Sequence, residues 1–158
     1  KLYSLYITGA AVRKQMNSKA ADIANPLGRV LKVGNDNFNK DIDTLELKLA
    51  EAIMAERPAI VSGIGFIKII SVIAPLAGLL GTVTGMIVTF QMITLYGTGD
   101  PKLMAGGISQ ALVTTVLGLL VAIPTSLLHS FTQSSARGII GILEEQSTGI
   151  LAERAETK

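Results

Sequence analysis

The sequence predicts an all-α, helical integral membrane protein: a long transmembrane helix hairpin with helical cytoplasmic extensions. Three observations carry this. Ile69–Gly99 and Leu103–Ala136 contain no Asp, Glu, Lys or Arg, and each exceeds the roughly 20 apolar residues that cross a bilayer as a helix. The connection between them, Tyr96–Gly107, is short, and its only charges are Asp100 and Lys102. Ten of the fourteen Lys and Arg lie within Lys1–Lys68, and Arg137, Arg154 and Lys158 follow the second stretch. Positive residues stay on the cytoplasmic side of a membrane, so both ends are expected in the cytoplasm and the connection outside.

The elements follow in order. A cytoplasmic helical region is expected over 1–65, a transmembrane helix over 66–96, a short external loop over 97–107, a second transmembrane helix over 108–133 and a cytoplasmic helix over 134–158. Leu2–Ile7 reads like the tail of an apolar helix already under way, so a preceding span is expected upstream; an ordinary amphipathic first helix is the alternative. Helix is expected over Lys1–Ser18, with Asn25-Pro-Leu-Gly28 as a break and Gly34-Asn-Asp-Asn37 as a turn. Asp43 followed by Glu46 resembles a capping box. The helix it starts places Ile42, Leu45, Leu49 and Ile53 on one side, and Arg57-Pro58 is expected to punctuate it. Lys68 marks entry into the membrane, where its long stem can snorkel. Beyond the second span, Ile139, Leu143, Ile150 and Leu151 are spaced for one apolar flank of a helix.

Both spans carry stripes of small and hydroxyl residues. Ser71, Gly78, Thr82, Gly85 and Thr89 fall along one side of the first, and Gly81-Thr-Val-Thr-Gly85 has small residues four apart, which lets helices approach closely. Gly107, Ala111, Thr114, Gly118, Ala122, Thr125 and His129 form a similar stripe on the second, with Thr115 one residue around. Pro75 and Pro124 are expected to kink their helices. Two readings stand side by side. In one, the stripes pack helix on helix, and each Thr hydroxyl bonds back to a preceding carbonyl. In the other, they border a hydroxyl-lined water or ion path. Gln110 suits either role, Gln91 suits an interfacial or interhelical position, and His129 an interfacial one.

Composition excludes several classes. There is no cysteine and one histidine, so neither a disulfide framework nor a thiolate or His-rich metal site can form, and no cofactor is expected. A formal net charge of +2 is too small to imply nucleic acid. No nucleophile–base pair or phosphate-binding loop is present, so no enzymatic activity is expected. Neither span holds an acid, and intramembrane ionisable groups mark proton relays. If protons cross here, the titrating carboxylate must come from another chain.

Ala74-Pro-Leu-Ala-Gly-Leu-Leu-Gly-Thr-Val-Thr-Gly-Met86, Gly106-Gly-Ile-Ser-Gln-Ala-Leu-Val-Thr-Thr-Val-Leu-Gly118 and Val121-Ala-Ile-Pro124 resemble the signature of the MotA/TolQ/ExbB proton-channel family, most closely its ExbB-type biopolymer-transport subunits. The similarity extends to Asn25-Pro-Leu-Gly-Arg29, Thr44-Leu-Glu-Leu-Lys48 and Leu143-Glu-Glu-Gln-Ser147. The resemblance implies three spans, of which these are the second and third, and a periplasmic loop at 97–107. It further implies a pentamer in the bacterial inner membrane around single-span ExbD-type partners. Protons then pass by way of an Asp in the partner, and the motion reaches a TonB-type protein that energises outer-membrane import. Thr82 and Thr115 match the family's pore-facing threonines, with Thr89, Thr114 and Gln110 as further pore candidates. From their place in the stripes and spans, Gly78, Gly81, Gly85, Gly118, Pro75 and Pro124 are expected to serve helix packing. Many relatives have Glu where this chain has Gln110. A TolQ-like or flagellar stator-like subunit is the alternative within the family, and a non-conducting scaffold for a single-span partner is the alternative outside it.

Overall fold

The computed structural model describes residues 2–16, 22–97 and 101–157. Among the described residues five helices follow in order: α1 (Leu2–Met16), α2 (Pro26–Asn37), α3 (Ile42–Val61), α4 (Ile64–Tyr96) and α5 (Pro101–Glu156). Among the described residues there is no strand. The chain divides into two compact units, one of Lys1–Gly63 with Phe131–Lys158 and the other of Ile64–Ser130.

In the first unit, the apolar faces of four helical segments meet. Val12 of α1, Leu27 and Val30 of α2, Leu45 and Leu49 of α3, and Leu143 of α5 are all fully buried. Their spacings of three and four residues set them along single helix faces, as the pattern of Leu45, Leu49, Ile139 and Leu143 predicts. Asn25-Pro-Leu-Gly-Arg29 does more than interrupt. Asn25 caps α2, its Oδ1 accepting from the Gly28 N–H at 2.8 Å, while its Nδ2 donates to Gln15 Oε1 at 3.2 Å. Pro26 takes the first helical position, where its missing N–H costs nothing. The Arg29 Nε and Nη2 each donate to a different Glu56 carboxylate oxygen at 2.6 Å, tying α2 to α3. Because Arg29 remains 40% exposed, solvent limits the pair to on the order of 1 kcal/mol.

In this unit three boundaries differ from the sequence reading. Asp41, not Asp43, caps α3: its Oδ2 accepts from both the Thr44 N–H and Oγ1 at 2.9 Å, leaving Asp43 in the first turn. Two acids two residues apart offer the same pattern, and only backbone geometry chooses between them. Gly34–Asn37 is not the turn; it completes α2, and the bend lies at Phe38–Lys40, because Gly34 packs on Leu49 and Ile150. Pro58 does not punctuate α3 but sits inside it. The helix ends a turn later, where the Ser62 N–H donates to the Pro58 carbonyl at 3.0 Å and Gly63 takes φ 79°, a left-handed conformation that glycine adopts without strain.

The Asp41 cap has a pH signature. Hydrogen bonds from Thr44 hold its carboxyl below the ordinary value. The cap is therefore intact above the usual carboxylate range and is lost as pH falls through the lowered folded value. Asp41→Ala is expected to remove this dependence and to speed hydrogen exchange at the Thr44 amide, with exchange in the middle of α3 unchanged.

The second unit is the hairpin. The helices that carry its two charge-free stretches are both long and apolar enough to cross a membrane; at 1.5 Å per residue, the 33 residues of α4 reach about 50 Å. Gly97, at φ 73°, stops α4, its N–H donating to the Ile93 carbonyl at 2.9 Å. Helix resumes at Pro101, so residues 101–107, expected as loop, already belong to α5; the expected loop residues 98–100 lie outside the described residues. Pro75 and Pro124 stand inside uninterrupted helices. Each withholds an N–H from the carbonyl four residues earlier, Ser71 and Leu120 respectively. Leu79, Leu80, Val83, Ile87 and Phe90 of α4 and Leu112, Val116, Leu120 and Ile123 of α5 are exposed. Lipid or neighbouring apolar helices cover such faces, and water does not.

Candidate functional site: the glycine and threonine seam of the hairpin

Where α4 meets the 101–130 part of α5, the contact is made by residues with little or no side chain. A Cβ built on Gly118 would lie 2.8 Å from the Ala74 carbonyl oxygen and 2.9 Å from the Gly78 Cα. One on Gly78 would lie 3.1 Å from the Thr114 carbonyl oxygen, and one on Gly85 2.7 Å from the Ala111 Cβ. A Cβ on Gly81 would overlap the Thr114 hydroxyl, and one on Gly107 that of Thr89. The seam pairs Gly78 with Gly118 and Thr115, Gly81 with Thr114, Gly85 with Ala111, and Thr89 with Gly107; the backbones come closest at Gly78, Gly85 and Gly118, while Gly81 and Gly107 receive a threonine side chain. Glycine is required wherever the facing atom is backbone, because backbone cannot rotate away.

The hydroxyls divide into two kinds. Thr82 Oγ1 donates to the Leu79 carbonyl at 2.6 Å, Thr89 Oγ1 to that of Gly85 at 2.9 Å, and Thr114 Oγ1 to that of Ala111 at 2.7 Å. Each proton is engaged within its own helix, and the oxygen keeps lone pairs for an outside donor. Thr115 differs. Its Oγ1 faces the Gly78 carbonyl across the seam at 3.5 Å, the outer limit of a hydrogen bond, so its proton is held only weakly. The Gly78 carbonyl points along α4 toward the amide of Thr82, four residues on. Thr115 thus lies against the turn of α4 that runs from Gly78 to Thr82.

Gln110 lies elsewhere. With Thr84, Gly81, Gly85, Gly107 and Thr114 it borders a groove of about 350 Å³ along the hairpin. At 3.6 residues per turn, Thr82 and Thr84 diverge on opposite sides of the seam glycines, as do Thr115 and Gln110. The pore candidates are accordingly divided: Thr82 and Thr115 border one flank, Gln110 the other, and Thr89 and Thr114 are in the seam itself. Thr84 was not singled out from the sequence; its signal is its position one turn from both Gly81 and Val88, on the groove. Gln91 is exposed and His129 half-buried, while Pro75 is half-buried and Pro124 exposed. Among the described residues, no group of three or more His, Cys, Asp or Glu is gathered as a metal site.

The profile of the MotA/TolQ/ExbB proton channel family matches residues 22–145, which takes in α2, α3, α4 and most of α5. The chain belongs to the MotA/TolQ/ExbB proton channel family. It is 32% identical over 149 residues to a biopolymer transport protein ExbB-like 3 of Synechocystis, covering 93% of this chain and 69% of that one. A biopolymer transport protein ExbB homolog of Methanothermobacter thermautotrophicus is 36% identical over 111 residues, 68% of this chain and 38% of the relative. The ExbB of Aquifex aeolicus is 44% identical over 64 residues, 40% of this chain and 43% of the relative. The chain therefore spans between about two fifths and about two thirds of these relatives' lengths. Membership agrees with the resemblance drawn from the three motifs. All three lie within the matched residues, and two of them, Ala74–Met86 and Gly106–Gly118, supply both sides of the seam.

Proposed function

We propose that the chain is a proton-channel and motor subunit of an inner-membrane complex that uses the proton motive force to drive TonB-dependent outer-membrane import. In this reading it forms a homo-oligomer, a pentamer, in the bacterial inner membrane with both ends of the chain cytoplasmic and residues 97–107 periplasmic. The pentamer surrounds ExbD-type single-span partners, each carrying a protonatable Asp, and it works on a TonB-type protein. The reading is supported by Thr115 lying against the Gly78 carbonyl, one turn before Thr82, in two helices whose charge-free stretches hold no acid of their own.

The chemistry follows from the two kinds of hydroxyl. Thr82, its proton given to Leu79, presents lone pairs that accept from water or from a protonated carboxyl. Thr115, weakly held, turns its O–H toward an ionised carboxylate. Together they serve both protonation states of the partner's Asp without placing a second charge in the membrane, which would cost several kcal/mol. Gln110, on the other flank, hydrogen-bonds without titrating.

The test is proton flux into liposomes holding the full-length protein with its single-span partner. Thr82→Val, which keeps shape and removes the hydroxyl, is expected to lower flux roughly five- to tenfold, the worth of one hydrogen bond of about 1–1.5 kcal/mol. Thr82→Ser is expected to restore it. Flux abolished by Asn in place of the partner's Asp identifies the carrier. Normal flux in Thr82→Val would leave the threonine a packing residue, and no flux in any preparation would favour a non-conducting scaffold. A TolQ-like or stator-like role is separated by which single-span partner co-purifies.

A further inference from the structure

We infer that the groove between α1 and the C-terminal part of α5 binds an anionic phospholipid, headgroup on Arg13 and acyl chain along the apolar wall. The groove measures about 470 Å³, room for a glycerophosphate headgroup and the first part of a chain, with the rest continuing into the bilayer. Leu5 and Ile139, both buried, form an apolar floor. Gly9 and Gly138 keep it open; a Cβ on Gly138 would meet nothing within 4 Å. Arg13, Ser134 and Ser135 supply the polar lining.

Charge selects the ligand. None of the lining residues is acidic: α1 contains no Asp or Glu, and the first acids of α5, Glu144 and Glu145, come after the lining. Arg13 is exposed, and the ion pairs among the described residues, Arg29–Glu56 and Lys48–Glu51, leave it out. The Arg13 guanidinium is a phosphate-binding group, and Ser134 and Ser135 add hydroxyls elsewhere along the same lining. An apolar floor beneath these groups fits an amphiphile better than a phosphorylated peptide. Ser134 and Ser135 are among the last residues of the charge-free stretch, and Arg137 is the first charge beyond it. The groove therefore lies where α5 leaves the hydrocarbon, at the depth of anionic headgroups. The inference rests on membrane placement and not on proton conduction, so it stands or falls apart from the channel reading.

The test uses the full-length protein, purified in mild detergent, stripped of lipid and titrated with phosphatidylglycerol or phosphatidylcholine. Bound lipid is counted by native mass spectrometry. Wild type is expected to prefer phosphatidylglycerol by about tenfold, the worth of one charge-assisted hydrogen bond. Arg13→Gln should reduce that lipid to the phosphatidylcholine level, whereas Lys14→Gln, outside the groove lining, should not. Gly138→Leu fills open space and should lower binding of both lipids while the assembly stays intact. Equal binding of the two lipids by wild type, or an unchanged preference in Arg13→Gln, would overturn the inference. So would dissociation of the assembly by Gly138→Leu without loss of lipid, which would make the groove a contact between copies. Displacement of phosphatidylglycerol by a phosphorylated peptide would overturn it too.

Discussion

Gly118→Val is expected to unfasten the hairpin. Its first added carbon would lie 2.8 Å from the Ala74 carbonyl oxygen, 2.9 Å from the Gly78 Cα and 3.1 Å from the Gly78 nitrogen. All three are backbone atoms of α4, so relief requires the two helices to move apart. Parting them also lifts Thr115 from the Gly78 carbonyl and Thr114 from Gly81. Overpacking of this kind costs typically 1–3 kcal/mol, and with backbone on the receiving side a loss of about 3 kcal/mol is expected. Denaturant titration of the full-length protein in detergent, read by a disulfide engineered across the seam, measures it. Gly106→Ala is the control: nothing lies within 4 Å of its Cβ, and replacing a helical glycine is expected to stabilise by about 0.5–1 kcal/mol. A Gly118→Val protein as stable as wild type would show that α4 and α5 are not held at this distance.

Gly28→Ala is the second large effect, and it falls in the other unit. A Cβ there would overlap the carbonyl of Asp22, with the Asp22 nitrogen 2.9 Å away. The cap at Asn25 fixes Gly28 in place, because its own N–H is the one bonded to Asn25 Oδ1. The added methyl must therefore displace the segment before α2, disturbing the bond from Asn25 to Gln15 and the burial of Leu27. A loss of about 2–3 kcal/mol is expected, read as a lower unfolding midpoint and faster hydrogen exchange in α2. Gly34→Ala is the informative contrast. Its Cβ would meet the far end of the Ile150 side chain at 2.7 Å and Leu49 at 3.3 Å, and a flexible side chain can turn aside. If the two variants lost equal stability, the close approach of Asp22 would not be what requires glycine at position 28.

The motif Asn25-Pro-Leu-Gly-Arg29 illustrates what was hidden. From sequence it reads as a break; in the structure it is a cap, a first-turn proline, a fully buried leucine, a close contact and an ion pair to Glu56. Only the break is local. Asp22, Gln15 and Glu56 take part from elsewhere in the chain, and no spacing rule names them. The cap of α3 lies two residues before the expected one for a similar reason: Asp41 and Asp43 both suit a helix start, and the backbone decides which carboxylate reaches the Thr44 amide. Pro58 does not stop α3, because its neighbours, with Ile60 buried, carry the helix past it.

The sequence by itself determined the fold class, the two spanning helices and the family. Those rest on signals that are local and strong: charge-free stretches longer than a bilayer, three- and four-residue periodicity, and motifs in fixed order on consecutive helices. The tertiary structure decided which side of each helix is occupied. Gly78, Gly81 and Gly85 on α4 and Gly118 on α5 each share a broad stripe with the threonines beside them, and helical period cannot tell contact from margin within it. Packing does. The closest approach goes to positions without side chains, since only there can backbones touch, and the residues one step around are left at the flanks. Thr82 and Thr115 are thereby placed on one side and Gln110 on the other.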